Sequence, residues 1–199
     1  IRGVTVTLVG RHSFQNVELL QGAVLTHRET TASLAYGLEF DAWTLSIDAT
    51  SSIDVTARGH LGGNRGGANG SSGDNTGFAA GAQRGNGGSY GGAGWHYSCA
   101  GADASNAIYG DITNPVDLGS GGGEWGGPGG DGGGRVLIGA INLVVDGALR
   151  ADGGLSAGTA SGEGSGGAIN LTLRTLCGNG TLEADGGTAG GSNHTGGGG

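Results

Sequence analysis

The chain has no lysine and no methionine, only two prolines and two cysteines, and just 5% aromatic residues. With so little proline and no strict Gly-X-Y spacing, a collagen-like triple helix is excluded. No apolar run approaches the ~18 residues of a membrane-spanning helix. Nine basic residues against 17 acidic ones give a net charge of −8. Such a balance argues against nucleic acid or an anionic membrane surface as partner. No charged-then-apolar leader precedes the strands, as expected of a mature form or a piece of something longer.

What the chain does have is glycine, 51 residues of 199. Interior glycine costs a helix ~1 kcal/mol relative to alanine, so an all-helical fold is ruled out. Its distribution is uneven. Residues 1–58 carry four glycines, and residues 59–199 carry the other 47. The first stretch alternates apolar and polar residues: Val4, Val6 and Leu8, then Val17 and Leu19, then Val24 and Leu25. Further on come Leu38, Phe40, Trp43, Leu45 and Ile47, then Ile53 and Val55. A period of two, rich in Val, Ile, Leu and Thr, predicts short strands.

Residues 59–134 are mostly Gly, Ser, Asn and Ala. A flexible linker is the default for this composition. The alternative is a packed layer, in which extended glycine helices with three residues per turn bond side by side. Ordered glycine loses more backbone entropy than any other residue, so such a layer needs a scaffold.

The last third repeats at an offset of 33. Residues 133–154 lie over 166–187 without a gap, with nine of 22 positions identical. The shared core is Leu-x-x-x-Gly-x-Leu-x-Ala-Asp-Gly-Gly. Leu45 to Val55 is a looser copy, two residues longer between its apolar anchors, and Leu19 to Leu25 a fainter one. Fixed-period self-similarity marks a stacked repeat. Ankyrin repeats share the period but need helices and a Thr-Pro-Leu-His pattern, both missing here. The fold expected is all-β: a right-handed parallel β-helix of stacked coils with a large glycine-rich, partly polyglycine-helix-like insert. Residues 1–58 form N-terminal coils, 59–134 the insert packed on them, and 135–199 the C-terminal coils. Leu149 then stacks on Leu182 and Leu143 on Leu176, each burial contributing roughly 1.5–3 kcal/mol. Arg150 falls beside Glu183, and Asp152 beside Asp185. The two aspartates are turn residues bonding their own backbone, or ligands of a shared Ca2+, the one cofactor the sequence suggests.

Ala151-Asp152-Gly153-Gly154 and Ala184-Asp185-Gly186-Gly187 follow apolar strands. Gly88-Ser89-Tyr90-Gly91-Gly92, Tyr109-Gly110-Asp111, Pro115 and Leu118 to Gly123 lie in the insert. Together these motifs resemble the glycine-rich modules of very large secreted or cell-surface bacterial proteins, myxobacterial-type ones included. The resemblance spans roughly residues 40–199. It implies a β-helical or adhesin-like module with a structural role outside the cell, and it carries over no catalytic residue. Trp95 to Ala100 departs from it, standing where more glycine is expected.

Cys99 and Cys177 form one candidate disulfide, tying insert to repeat; closing a loop of roughly 77 residues would contribute ~4 kcal/mol. The alternative is two free thiols, since Cys177 aligns with the apolar Val144. No C-x-x-C, no histidine pair at i, i+4 and no H-E-x-x-H occurs. Glycine-loop motifs arise by chance in such a sequence. The chain is therefore expected not to be an enzyme. It is expected instead to be a structural or adhesive module of an extracellular filament or giant surface protein. Its partners would be copies of itself head-to-tail or the rest of a longer chain. The alternative is a carbohydrate-binding or polysaccharide-cleaving β-helix. Tyr90, Trp95, Tyr97, Tyr109 and Trp125 would then stack on sugars or, failing that, cover the glycine layer. Asp103, Asp111, Asp117, Glu124 and Asp131 would be the acidic groups, or else solvated turn residues.

Overall fold

The alternating segments pair, and every pairing between strands is parallel. A computed structural model describes residues 1–66, 70–96, 107–188, 196 and 198–199. Ten strands lie among the described residues: β1 (Thr5–Leu8), β2 (Arg11–Ser13), β3 (Asn16–Leu19), β4 (Val24–His27) and β5 (Leu38–Ile47), then β6 (Ser52–Asp54), β7 (Arg135–Val145), β8 (Ala148–Arg150), β9 (Ala168–Cys177) and β10 (Thr181–Glu183). The only helical turn among the described residues is a 3-10 turn at Thr76–Phe78. Strands fall alternately into two sheets. One has the order β1-β4-β6-β8-β10; the other is β2-β5-β7-β9, with β3 also on β5.

The repeat offset is the strand register. Leu143 pairs with Leu176 and Leu149 with Leu182, each 33 positions on. The looser copies join the same rows. Leu45 pairs with Leu143 and Ile53 with Leu149, while Val17 pairs with Leu45 and Leu25 with Ile53. Inward-facing Leu25, Phe40, Leu45, Ile47, Ile53, Val136, Leu143 and Leu149 form one core between the sheets. The rows do not stay buried to the end: Leu176 is 53% and Leu182 44% exposed. Among the described residues no strand lies beyond β9 or β10 to cover them.

The second sheet turns a corner in mid-strand. In β5 the pattern runs Leu38, Phe40, Ala42 inward, then Trp43 and Thr44 both outward, then Leu45 and Ile47 inward. β7 repeats this at Ile141 and Asn142, and β9 at Arg174 and Thr175. Two successive outward residues reset the alternation and bend the strand. On the other side of β5 the chain breaks there into β2 and β3, which both pair with it. Gln15 O accepts from both Trp43 N (2.8 Å) and Thr44 N (3.1 Å).

Glycine-rich backbone continues the strands. Residues 55–63, 151–154 and 184–187 run on from β6, β8 and β10, and residues 128–134 and 161–167 lead into β7 and β9. Their bonds run sideways, three residues apart. Gly130 N donates to Gly162 O (2.9 Å) and Gly133 N to Ser165 O (2.8 Å), so these two segments run the same way. Gly129 N donates to Gly63 O (3.0 Å) and Gly132 N to His60 O (2.8 Å), an opposed pair. Gly119 N and Gly122 N donate to Gly133 O and Gly130 O, and Gly154 N to Asp131 O. Residues 128–134 thus bond neighbours on four sides. Contact this close needs bare Cα atoms: a Cβ on Gly133 would sit 2.0 Å from Ala151 O and 2.5 Å from Gly167 N. On Gly130 it would sit 2.0 Å from Gly154 O.

Gly133→Ala is expected to lower stability by about 1–3 kcal/mol or more, since no flexible side chain can give way. Gly66→Ala, where nothing lies within 4 Å, should stay within about 0.5 kcal/mol of wild type. Leu149→Ala should cost about 2–5 kcal/mol and the half-exposed Leu182→Ala well under that. Urea midpoints of the four variants check all of this.

Candidate functional site

Two features bear on function: the ends of the strand stack and the surfaces the insert builds beside it. At one end, β9 and β10 show an outer edge with no partner strand among the described residues. At the other, β1 and β2 do the same. Residues 1–3 partly cover the latter end: Leu20 N donates to Ile1 O, Gly3 N to Leu20 O, and the terminal amine to Glu18 O. One row crosses the whole stack as Asn16, Thr44, Asn142 and Thr175. In it Thr44 Oγ1 donates to Asn16 Oδ1 (2.5 Å) and Thr175 Oγ1 to Asn142 Oδ1 (2.7 Å).

The insert aromatics are only partly gathered. Tyr90 is buried under Tyr109, with ring centroids 5.1 Å apart, and Tyr109 Oη donates to Leu118 O (2.6 Å). Burial pushes the Tyr109 phenol far above its ordinary range. Both rings line a cavity of about 340 Å³ with Ile108, Ile112, Ala168 and Ile169. Trp95 and Trp125 do not line it. Trp95 is half-buried and its carbonyl accepts from Gly87 N; Trp125 is exposed and its N–H donates to Ser161 Oγ. Tyr97 lies outside the described residues.

The acidic residues of the insert do not converge on one cleft. Asp111 caps its own turn through Thr113 N (2.8 Å), and Glu124 accepts from Gly126 N (3.0 Å). Asp131 accepts from Gly62 N and faces Arg65 at 3.7 Å, with its carboxyl pushed up by burial. Asp117 is half-buried, and Asp103 lies outside the described residues.

Asp152 and Asp185 meet through the backbone: Asp152 Oδ1 accepts from Asp185 N (2.9 Å). That bond ties the segment after β10 to the one after β8 through a side chain. No group of three or more His, Cys, Asp or Glu able to hold a metal occurs among the described residues. Arg150 Nε donates to Glu183 Oε2 at 2.8 Å, and the pair is solvent-accessible enough to contribute only ~0.2–1 kcal/mol. Cys177, one half of the candidate disulfide, is a free and exposed thiol at the end of β9. Its candidate partner Cys99 lies outside the described residues.

The sequence reading missed Trp43, counting it with the inward residues of its strand. It is 66% exposed, at the corner of the second sheet. The pattern was ambiguous: Trp43 is out of phase with Leu38 and Phe40 but in phase with Leu45 and Ile47, which are buried beyond the corner.

The chain matches no family model, no curated protein and no solved structure. No helix among the described residues is long and apolar enough to cross a membrane.

Two buried histidines make stability depend on pH. Desolvation lowers both His27 and His60 to about 4. Unfolded, they bind protons near pH 6.5. Their contribution is therefore complete above that value and is lost as pH falls from 6.5 toward 4. Asp131 and Asp152, raised by burial, act in the opposite sense near pH 4. The histidine share is thus read between pH 6.5 and about 5. Urea midpoints should fall over that window, and His60→Gln should flatten the slope. An unchanged slope in the variant counts against this assignment.

Proposed function

We propose that the chain is a right-handed parallel β-helix with a partly polyglycine-helix-like bundle on its flank. It serves as a structural or adhesive module of an extracellular filament or giant cell-surface protein and assembles through its strand edges. The observation that carries this reading is the edge of β9 and β10, which has no partner strand among the described residues and carries the exposed Leu176 and Leu182. Parallel edges with free N–H and C=O groups invite another strand. The partner is a copy of the chain stacked head-to-tail, or the rest of a longer chain; such contacts build filaments when they do not close.

The rows support a copy as partner. Stacked in the same register, Val17 of the next copy continues Leu45, Leu143 and Leu176, and Val6 continues Leu25, Ile53, Leu149 and Leu182. Asn16 follows Thr175, so the Asn-Thr alternation runs on unbroken. Residues 1–3 occupy the edge at Glu18–Leu20 and must swing aside. A surface without lysine, low in charge and rich in Gly, Ser and Thr suits life outside the cell, as does the resemblance to secreted bacterial modules. The alternative of a carbohydrate-cleaving chain has Tyr90 and Tyr109 at one cavity in its favour. It lacks a facing pair of carboxylates among the described insert residues.

Sedimentation velocity and light scattering at rising concentration test the assembly. End-to-end oligomers are expected, favoured further by deleting residues 1–3. Leu176→Lys with Leu182→Lys should weaken them at least tenfold, ~1.4 kcal/mol per contact. A chain that stays strictly monomeric at high concentration overturns assembly with copies of itself.

A further inference from the structure

The outer face of the second sheet, away from both stack ends, carries a second kind of surface. A trench of about 430 Å³ runs across β5, β7 and β9 in the direction of the stack. Its floor is made by a missing side chain. Gly139 stands in the row Ser13, Asp41, Gly139, Thr172. A Cβ there would meet only the Asp41 carboxylate, with Oδ1 at 2.5 Å, and nothing else within 4 Å. Arg11 holds Oδ2 of Asp41 through Nε (3.2 Å) and a terminal nitrogen (2.8 Å), and reaches Glu39 at 3.3 Å. Oδ1 is left beside the open floor.

The two sides of the trench differ in chemistry. On the side where the strands begin, the insert forms a polar wall: Asn170 Nδ2 donates to Asn114 Oδ1 (3.0 Å), and Arg135 bonds Val116 O (2.9 Å). Beyond the floor, on the far side, stands the corner of the sheet. There Trp43 stands between the ladder pairs Ala42–Ala140 and Thr44–Asn142, as does Ile141 in β7, 66% and 43% exposed, with Arg174 at the matching corner of β9. An indole this open to water on a folded surface gains nothing from its own core.

We propose that this trench binds a neutral glycan chain lying along the stack, with Trp43 as its stacking platform. A pyranose ring has an apolar C–H face for the indole and hydroxyls at its edge for Asp41 Oδ1, Asn114, Asn170 and Thr172. From Ser13 to Thr172 is three strand spacings, ~14 Å, room for a few linked sugars. Arg11 is already matched by Glu39 and Asp41, so a uronate in the trench would face carboxylates; the exposed Arg174, at the corner of β9, stands outside the trench lining. The charge of the trench itself therefore favours a neutral glycan. This site adds a ligand to the proposed module and does not depend on edge assembly, which sedimentation reads separately.

Calorimetry of the whole chain against neutral hexasaccharides (β-1,3-glucan, β-1,4-glucan and mannan series) and an oligogalacturonate tests it. Binding of at least one neutral probe at millimolar or lower concentration is expected, with quenching of tryptophan fluorescence. Trp43→Ala should weaken it at least tenfold and Trp43→Phe less. Gly139→Leu, which fills the floor and displaces Asp41 Oδ1 from it, should abolish it. Circular dichroism and urea midpoints confirm that the variants fold. No binding by any neutral probe, preference for the galacturonate, or unchanged affinity in both folded Trp43→Ala and Gly139→Leu overturns the proposal.

Discussion

Close approach of bare backbone governs this molecule. An extended glycine segment has no bonds within itself, so each N–H and C=O must find a neighbour or water. Here the neighbours are other extended segments, near enough only because no Cβ intervenes. The strands supply the alignment: each glycine segment enters or leaves a strand whose lateral position the ladder has already fixed. The apolar rows therefore hold more than the sheets. They also set the positions of the backbone that bonds beside them.

Side-chain carboxylates and hydroxyls extend the same principle to the turns. Asp48 Oδ2 accepts from Gln21 N (2.8 Å), Asp146 Oδ1 from Asn179 N (3.1 Å), and Ser51 Oγ from Ala23 N (3.1 Å). In each case a turn amide beside one strand is taken up by a side chain beside a neighbouring strand. The bond from Gln21, helped by the Ser51 hydroxyl, holds the Asp48 carboxyl far below its usual range. Acidic turn residues that look like repelling neighbours in a linear alignment become cross-links between coils.

Much of the stack was legible because the repeat is literal where it matters. Leu143 and Leu176, and Leu149 and Leu182, are separated by a constant interval, and constant intervals become strand register. Between β5 and β7 the interval grows to 98 because the insert intervenes. The two-residue excess between Leu45 and Ile53 still showed which rows they join. Trp43 was misread because a corner resets the inside–outside alternation, and a composition-based pattern cannot see a bend. The meeting of Tyr90 with Tyr109 was not legible at all. It depends on the path of low-complexity backbone, where no side-chain periodicity records direction. The loss of burial at Leu176 and Leu182 is equally silent in sequence, since a leucine at the end of a row looks like one inside it.

The bundle also constrains how the chain can reach its final state. Strands β1 to β6 pair across intervals of 19 and 28 residues, short loops that close at modest entropic cost. Bonds such as Gly129 to Gly63 join positions far apart, between segments with no local structure of their own. Contact order is therefore low in the first coils and high in the glycine layer. Short intervals favour early pairing both among β1 to β6 and, at 33 residues, among β7 to β10, whereas the glycine layer joins only once these two groups meet across the long gap.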